Sequence, residues 1–139
     1  MPRQLEKLGL IIKRVQARNH RSLDKRLSPL GISLVQWNAL REIERNPGRS
    51  AHALAELTFN SDQAFGTLIT RLERLGFVER QNGKGRAIHH VLTAKGKQML
   101  HEGHAIYLEF LQVAFAPLRP KERSVLLDLM TKLADHPSK

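Results

Sequence analysis

The sequence predicts a mainly α fold with a small β-hairpin. Apolar residues recur every three or four positions along most of the 139 residues, the stretch from Phe77 to Leu92 changes to the spacing of extended chain, and prolines and glycines fall between these stretches. A chain of this length fits one compact domain, so residues 1–139 are expected to form one.

Leu5, Leu8, Ile12, Val15, Leu23 and Leu27 line one side of a helix over residues 3–27, with Lys and Arg between them, and Ser28-Pro29 ends it. Ser33 followed by Gln36 is a capping-box pattern, which opens a second helix on Leu34, Trp37, Leu40 and Ile43. Asn46-Pro47-Gly48 stops that helix. A short helix over Ala51–Leu57 turns Ala53, Leu54 and Leu57 inward. Another, from Asp62 to Leu75, turns Phe65, Leu68, Ile69 and Leu72 inward, with Asn60 or Ser61 placed to cap it.

Phe77 to Gln81 and Ala87 to Leu92 flank Asn82-Gly83-Lys84-Gly85-Arg86, which predicts a hairpin with a basic tip. Thr93 caps a long helix running to about Phe115, roughly 35 Å at ~1.5 Å per residue. Its apolar residues, among them Met99, Leu100, Ile106, Phe110 and Val113, spread around most of its circumference. Such a helix needs cover on both sides, more than one core of this size supplies, so a second subunit is expected to cover it. Pro117 and Pro120 break the chain before a last amphipathic helix on Val125, Leu126, Leu129, Met130 and Leu133.

Lys and Arg number 23 against 13 Asp and Glu, a net charge of +10, which favours a polyanionic partner. The excess is concentrated: residues 1–28 carry eight Lys/Arg against two acids, and residues 71–97 carry seven against two. No cysteine is present, so disulfides, thiolate zinc sites and thiol switches are excluded. The charged N-terminus does not fit a secretory signal, and no stretch approaches the ~18 apolar residues of a membrane span, so a cytoplasmic protein is expected.

Two short helices followed at once by a basic hairpin are what a winged helix-turn-helix requires. The second helix is thin enough for the major groove, and the hairpin reaches an adjacent groove or the backbone. The fold class is therefore a winged helix-turn-helix domain, about residues 33–92, plus a helical region, about 3–27 and 94–135. The expected partner is double-stranded DNA. Ser50, His52, Arg49, Arg74 and Lys95 are candidate phosphate contacts.

Several segments also resemble the MarR (multiple antibiotic resistance regulator) family at matching spacing: Ile32 to Leu40, Leu54-Ala55-Glu56-Leu57, Arg71 to Arg80, and Leu92-Thr93-Ala94-Lys95-Gly96. The resemblance implies a homodimeric transcriptional regulator, a repressor by family pattern, with the helices at about 3–27 and 94–135 as its dimerisation region and two recognition helices that meet a pseudo-palindromic operator, half-sites about 34 Å apart or a multiple of it. It places Ser61, Asp62, Gln63, Gly66, Thr67, Thr70 and Arg71 toward DNA. Gln63 is the candidate base reader, because its amide can pair bidentately with adenine. Arg86 matches the family's wing-tip arginine, directed to a narrow A·T-rich minor groove. Two departures stand out: Asp62 occupies a position where the family usually has Arg, and Lys84 one where it usually has Asp. A shifted operator preference is expected.

The resemblance further implies a small, often aromatic and anionic effector that weakens DNA binding, with His20, Trp37, Arg41 and Tyr107 as candidate lining residues, although a Trp in this pattern also reads as core. His101 and His104 lie one helical turn apart but lack a third ligand and the HExxH spacing, so no metal and no cofactor is expected. Of His89 and His90, which alternate along a strand, one is expected to be exposed, near phosphate. There is no glycine-rich phosphate loop and no Gly-x-Ser-x-Gly elbow, so no enzyme is expected. The alternative function is a basic protein-interaction or membrane-surface module built on the first helix, in which the hairpin has no role.

Overall fold

A computed structural model describes residues 2–82 and 88–137. The order is α1 (Pro2–Leu27), a 3-10 turn (Ser28–Leu30), α2 (Leu34–Arg45), α3 (Ala51–Leu57), α4 (Asp62–Arg74), β1 (Val78–Asn82), β2 (Ile88–Leu92), α5 (Ala94–Ala114) and α6 (Pro120–Ala134). The chain, expected from its sequence to be one domain, clusters into two compact units, Met1–Ile106 and Tyr107–Lys139.

Local chemistry sets the helix ends. The Ser33 hydroxyl accepts the Gln36 backbone N–H at 3.1 Å while the Gln36 side chain accepts the Ser33 N–H at 3.0 Å, completing the capping box that opens α2. Ser61, rather than Asn60, caps α4; the Asn60 amide turns back to the Thr58 carbonyl and hydroxyl. Thr93 accepts the Gly96 N–H at 3.0 Å and so starts α5.

In the first unit, Leu27, Trp37, Leu40, Leu54, Phe65 and Leu72 are wholly buried and form its centre. Each such side chain contributes about 1.5–3 kcal/mol by leaving water. The Trp37 indole N–H donates to the Leu100 carbonyl at 3.2 Å, anchoring α2 to α5. Leu57, expected inward, is instead 44% exposed at the last position of the seven-residue α3.

The two strands pair antiparallel with Val78 opposite Leu92 and Asn82 opposite Ile88. Phe77, expected in the first strand, precedes it. Its backbone N–H donates to Leu72 at the end of α4 and its carbonyl accepts from Thr93, so it is buried at the hairpin base. Between α3 and α4, Phe59 adopts φ 59° and is 97% exposed. Left-handed backbone costs a bulky residue roughly 1–2 kcal/mol.

In the second unit, α6 exposes Val125, Leu126, Leu127, Leu129, Met130 and Leu133. Pro120 lies in its first turn, where a missing N–H costs nothing, and the Glu122 carboxylate accepts the Arg119 N–H at 2.9 Å.

Candidate nucleic-acid interface

The helix α4 separates its two faces cleanly. Phe65, Ile69 and Leu72 are buried, while Gln63, Gly66, Thr67, Thr70, Arg71 and Arg74 line one shallow concavity of about 460 Å³ on the outside. The spacing explains the division, since positions three, four, seven and eleven residues after Gln63 return to one side of a helix of 3.6 residues per turn. Thr67 donates its hydroxyl to the Gln63 carbonyl at 3.2 Å and Thr70 donates to the Gly66 carbonyl at 2.9 Å. Both hydroxyl protons are thereby turned onto the helix itself.

Ser50 and Ser61 stand at the starts of α3 and α4, each exposed and each accepting a backbone N–H at 3.1 Å, from Ala53 and Ala64. Their own hydroxyl protons remain available to an acceptor outside the helix. Arg49 is exposed in the loop before α3.

His52 and Asp62, expected separately as contacts to DNA, are brought together. His52 Nδ1 lies 2.9 and 3.1 Å from the two Asp62 carboxylate oxygens, and its Nε2 lies 2.9 Å from Glu56 Oε1. The Asp62 hydrogen bond, then the Asp62 and Glu56 charges, hold the imidazole pKa above the usual 6.5. Protonated His52 donates to both carboxylates and ties the N-terminus of α3 to that of α4. The four-residue spacing from His52 to Glu56 was visible in the sequence as a helical pair. The Asp62 contact carried no sequence signal, because only the angle between the two helices creates it.

At the other end of α4, side chains of β2 and α5 come close. Neither of the histidine pair is exposed, against the expectation for one of them: His89 is half-buried because the paired strand and its neighbours cover part of it, and His90 is buried, with Nε2 3.3 Å from Glu73 Oε1. Burial lowers the His90 pKa and the Glu73 charge opposes that shift. Lys95 donates to the Leu75 carbonyl at 2.7 Å and lies 5.0 Å from the centre of the Phe77 ring, so its ammonium satisfies the C-terminal end of α4. The sequence marks Lys95 as a candidate phosphate contact and carries no signal for this contact, which spans twenty residues. Lys84 and Arg86 lie outside the described residues.

Of the candidate effector residues in the first unit, Trp37 is wholly buried, the Arg41 guanidinium lies 5.0 Å from its ring centre, and His20 is half-buried on α1. Tyr107 is half-buried and belongs to the second unit. His101 and His104 are both exposed, and among the described residues no group of three or more potential ligands is placed to hold a metal ion. No helix among the described residues is long and apolar enough to cross a membrane.

These features coincide with known proteins. The model of the MarR family matches residues 30–87, a span that holds α2, α3, α4 and β1. An HTH-type transcriptional repressor of Mycobacterium tuberculosis is 33% identical over 101 residues, covering 71% of this chain and 73% of the relative. The crystal structure of a Mycobacterium tuberculosis MarR family protein in complex with p-aminosalicylic acid superposes with a TM-score of 0.78 at 28% identity, covering 92% of this chain and 98% of that one. A mutant MarR from E. coli complexed with operator DNA superposes with a TM-score of 0.83 at 25% identity, covering 94% of this chain and 95% of that one. With that level of identity to a repressor across most of both chains, and the family's model matching the span of α2, α3, α4 and β1, this chain belongs to the MarR family.

Proposed function

We propose that this chain is a homodimeric, sequence-specific repressor of transcription that binds duplex DNA through α4 and the hairpin and is released by a small aromatic anion. The observation that carries the reading is the outer face of α4, where Gln63, Thr67, Thr70, Arg71 and Arg74 stand together outside a core that needs none of them. Gln63 reads a base edge. Ser50, Ser61, Arg71 and Arg74 meet phosphates on either side of it, and these contacts supply register and affinity rather than sequence. Lys84 and Arg86 add positive charge to this set.

Asp62 alters this scheme. A carboxylate near phosphates is repelled unless neutralised, and His52 supplies a neutralising partner. The repression and operator binding follow from membership of a family in which a relative is named a repressor and another is held on operator DNA. The effector class follows from the relative held with p-aminosalicylic acid. Arg41, stacked on Trp37, is the cation here that suits an aromatic carboxylate.

The test is selection of bound sites from randomised duplex DNA, followed by titration of the recovered site. Binding in the nanomolar range to a two-fold-related sequence is expected, falling on the order of 10³-fold or more between 50 and 200 mM salt if six to ten phosphates are contacted. Preference for single strands, or indifference to salt, would defeat the proposal. Added salicylate should release the duplex.

A further inference from the structure

Four glycines lie inside helices, and they divide by what surrounds them. At Gly96 an added Cβ would collide with the Phe77 carbonyl oxygen, and at Gly103 with the Trp37 indole, so these two positions in α5 are glycine because the chain's own interior leaves no room. Gly9, on the exposed first part of α1, and Gly66 have no such reason, and of these two only Gly66 lines the concavity on α4 beside polar side chains. A Cβ there meets nothing within 4 Å, and the backbone is ordinary right-handed helix. Glycine is nevertheless the least favourable residue in a helix interior after proline, because it loses the most backbone freedom. Gly66 weakens α4 with no compensating contact inside the molecule.

Its position supplies the reason. Gly66 is part of the concavity on α4, one turn after Gln63 and beside Thr67 and Thr70. Because both threonines commit their hydroxyl protons to backbone carbonyls of α4, what they can offer the floor of this concavity is methyl groups and lone pairs, not donors. A glutamine that pairs with adenine leaves the complementary thymine presenting its 5-methyl group in the same major groove, and that methyl is met by apolar contact.

We propose that Gly66 is a specificity-determining clearance, at which the backbone of α4 seats directly against a thymine 5-methyl group in each half-site. The proposal rests on the reading of α4 as the DNA-recognition helix and adds the group recognised there. A side chain at residue 66 would hold the helix away from the methyl and loosen Gln63 along with it.

The experiment adds a methyl to the protein and then removes one from the DNA. The probe is the duplex that the wild-type chain selects from a randomised pool, with an unrelated duplex of equal length as control. Gly66→Ala should raise the thermal midpoint by roughly 3 °C, since the helix gains a better former. It should weaken binding to the selected duplex about tenfold and leave the unrelated duplex unaffected. Replacing one thymine per half-site by deoxyuridine, which lacks the 5-methyl group, should restore most of that loss for Gly66→Ala while leaving the wild type equal or slightly weaker. Three results overturn the proposal: Gly66→Ala binding the selected duplex as tightly as wild type, an equal loss on both duplexes, or no rescue at any thymine. Failure of the underlying reading is distinguishable, because the wild-type chain would then select no duplex at all.

Discussion

Within the segment Ser33 to Leu92, Trp37, Leu40, Leu54, Phe65 and Leu72 are each 1% exposed or less, whereas in the first half of α1 Leu5, Leu8, Leu10, Ile11, Ile12 and Val15 are 40–68% exposed. Leu127, Leu129 and Leu133 of α6 are 56–67% exposed. Both kinds of segment are amphipathic by spacing, yet only one completes its burial within the chain. The winged segment folds on itself. The terminal helices hold apolar surface of a kind that soluble chains bury against a partner, and a second copy is the occupant that the proposed function supplies.

The sharpest contrast comes from substituting each region in turn. Trp37→Ala removes a wholly buried indole and its hydrogen bond to Leu100, and should cost about 3–5 kcal/mol of folding stability, read from the urea midpoint. Leu8→Asp combined with Leu133→Asp should leave the winged segment folded but yield a monomer by sedimentation at micromolar concentration. Operator affinity should then fall by on the order of 100-fold or more, because two linked half-site contacts become one. A double variant that remains dimeric would break the comparison.

Smaller effects sharpen it. Gln63→Ala should weaken the selected duplex by about 1–3 kcal/mol and relax preference at one base pair per half-site, with stability unchanged because the side chain is exposed. Equal loss on every sequence would mean that Gln63 anchors rather than reads.

The smallest effect is with pH, where two histidines of the same segment act oppositely. The His52 pKa is raised, so its pairing with Asp62 and Glu56 is fully present below 6.5 and is lost as pH rises through its folded value. Loss of that proton takes the trio from a net charge of about −1 to about −2, which should weaken duplex binding a few-fold at most, since the group is exposed and screened. His52→Gln should flatten this alkaline-side dependence in binding titrations. The His90 pKa is lowered by burial, so its neutral form stabilises the fold above 6.5 and that contribution is lost on acidification. His90→Gln should flatten the acid side of the stability profile, measured by urea denaturation across the same pH series.

The residues that were legible beforehand are those whose signal is local. The Ser33 and Gln36 capping box, the cap of α4 and the Asn46-Pro47-Gly48 stop each follow from a few neighbouring residues competing for backbone groups. The outer face of α4 was legible for the same reason, since helical periodicity alone brings Gln63, Gly66, Thr67, Thr70, Arg71 and Arg74 together. Phe59 gave no such signal, because an aromatic residue at a left-handed turn position has no local preference for it.

Sequence by itself determined the order of the elements, the family, the concentration of positive charge and the face of α4, because periodicity, capping and motif spacing act over a turn or two of chain. Only the tertiary structure decided which charges are already committed. His52 meets Asp62 ten residues away, His90 of β2 lies beside Glu73 of α4, Lys95 donates to a helix-end carbonyl twenty residues earlier, and Trp37 donates to Leu100 across sixty-three positions. Each of these depends on how helices cross and where the hairpin folds back. Those angles come from the packing of Leu40, Leu54, Phe65 and Leu72 into one core, a collective outcome that no local pattern of residues encodes.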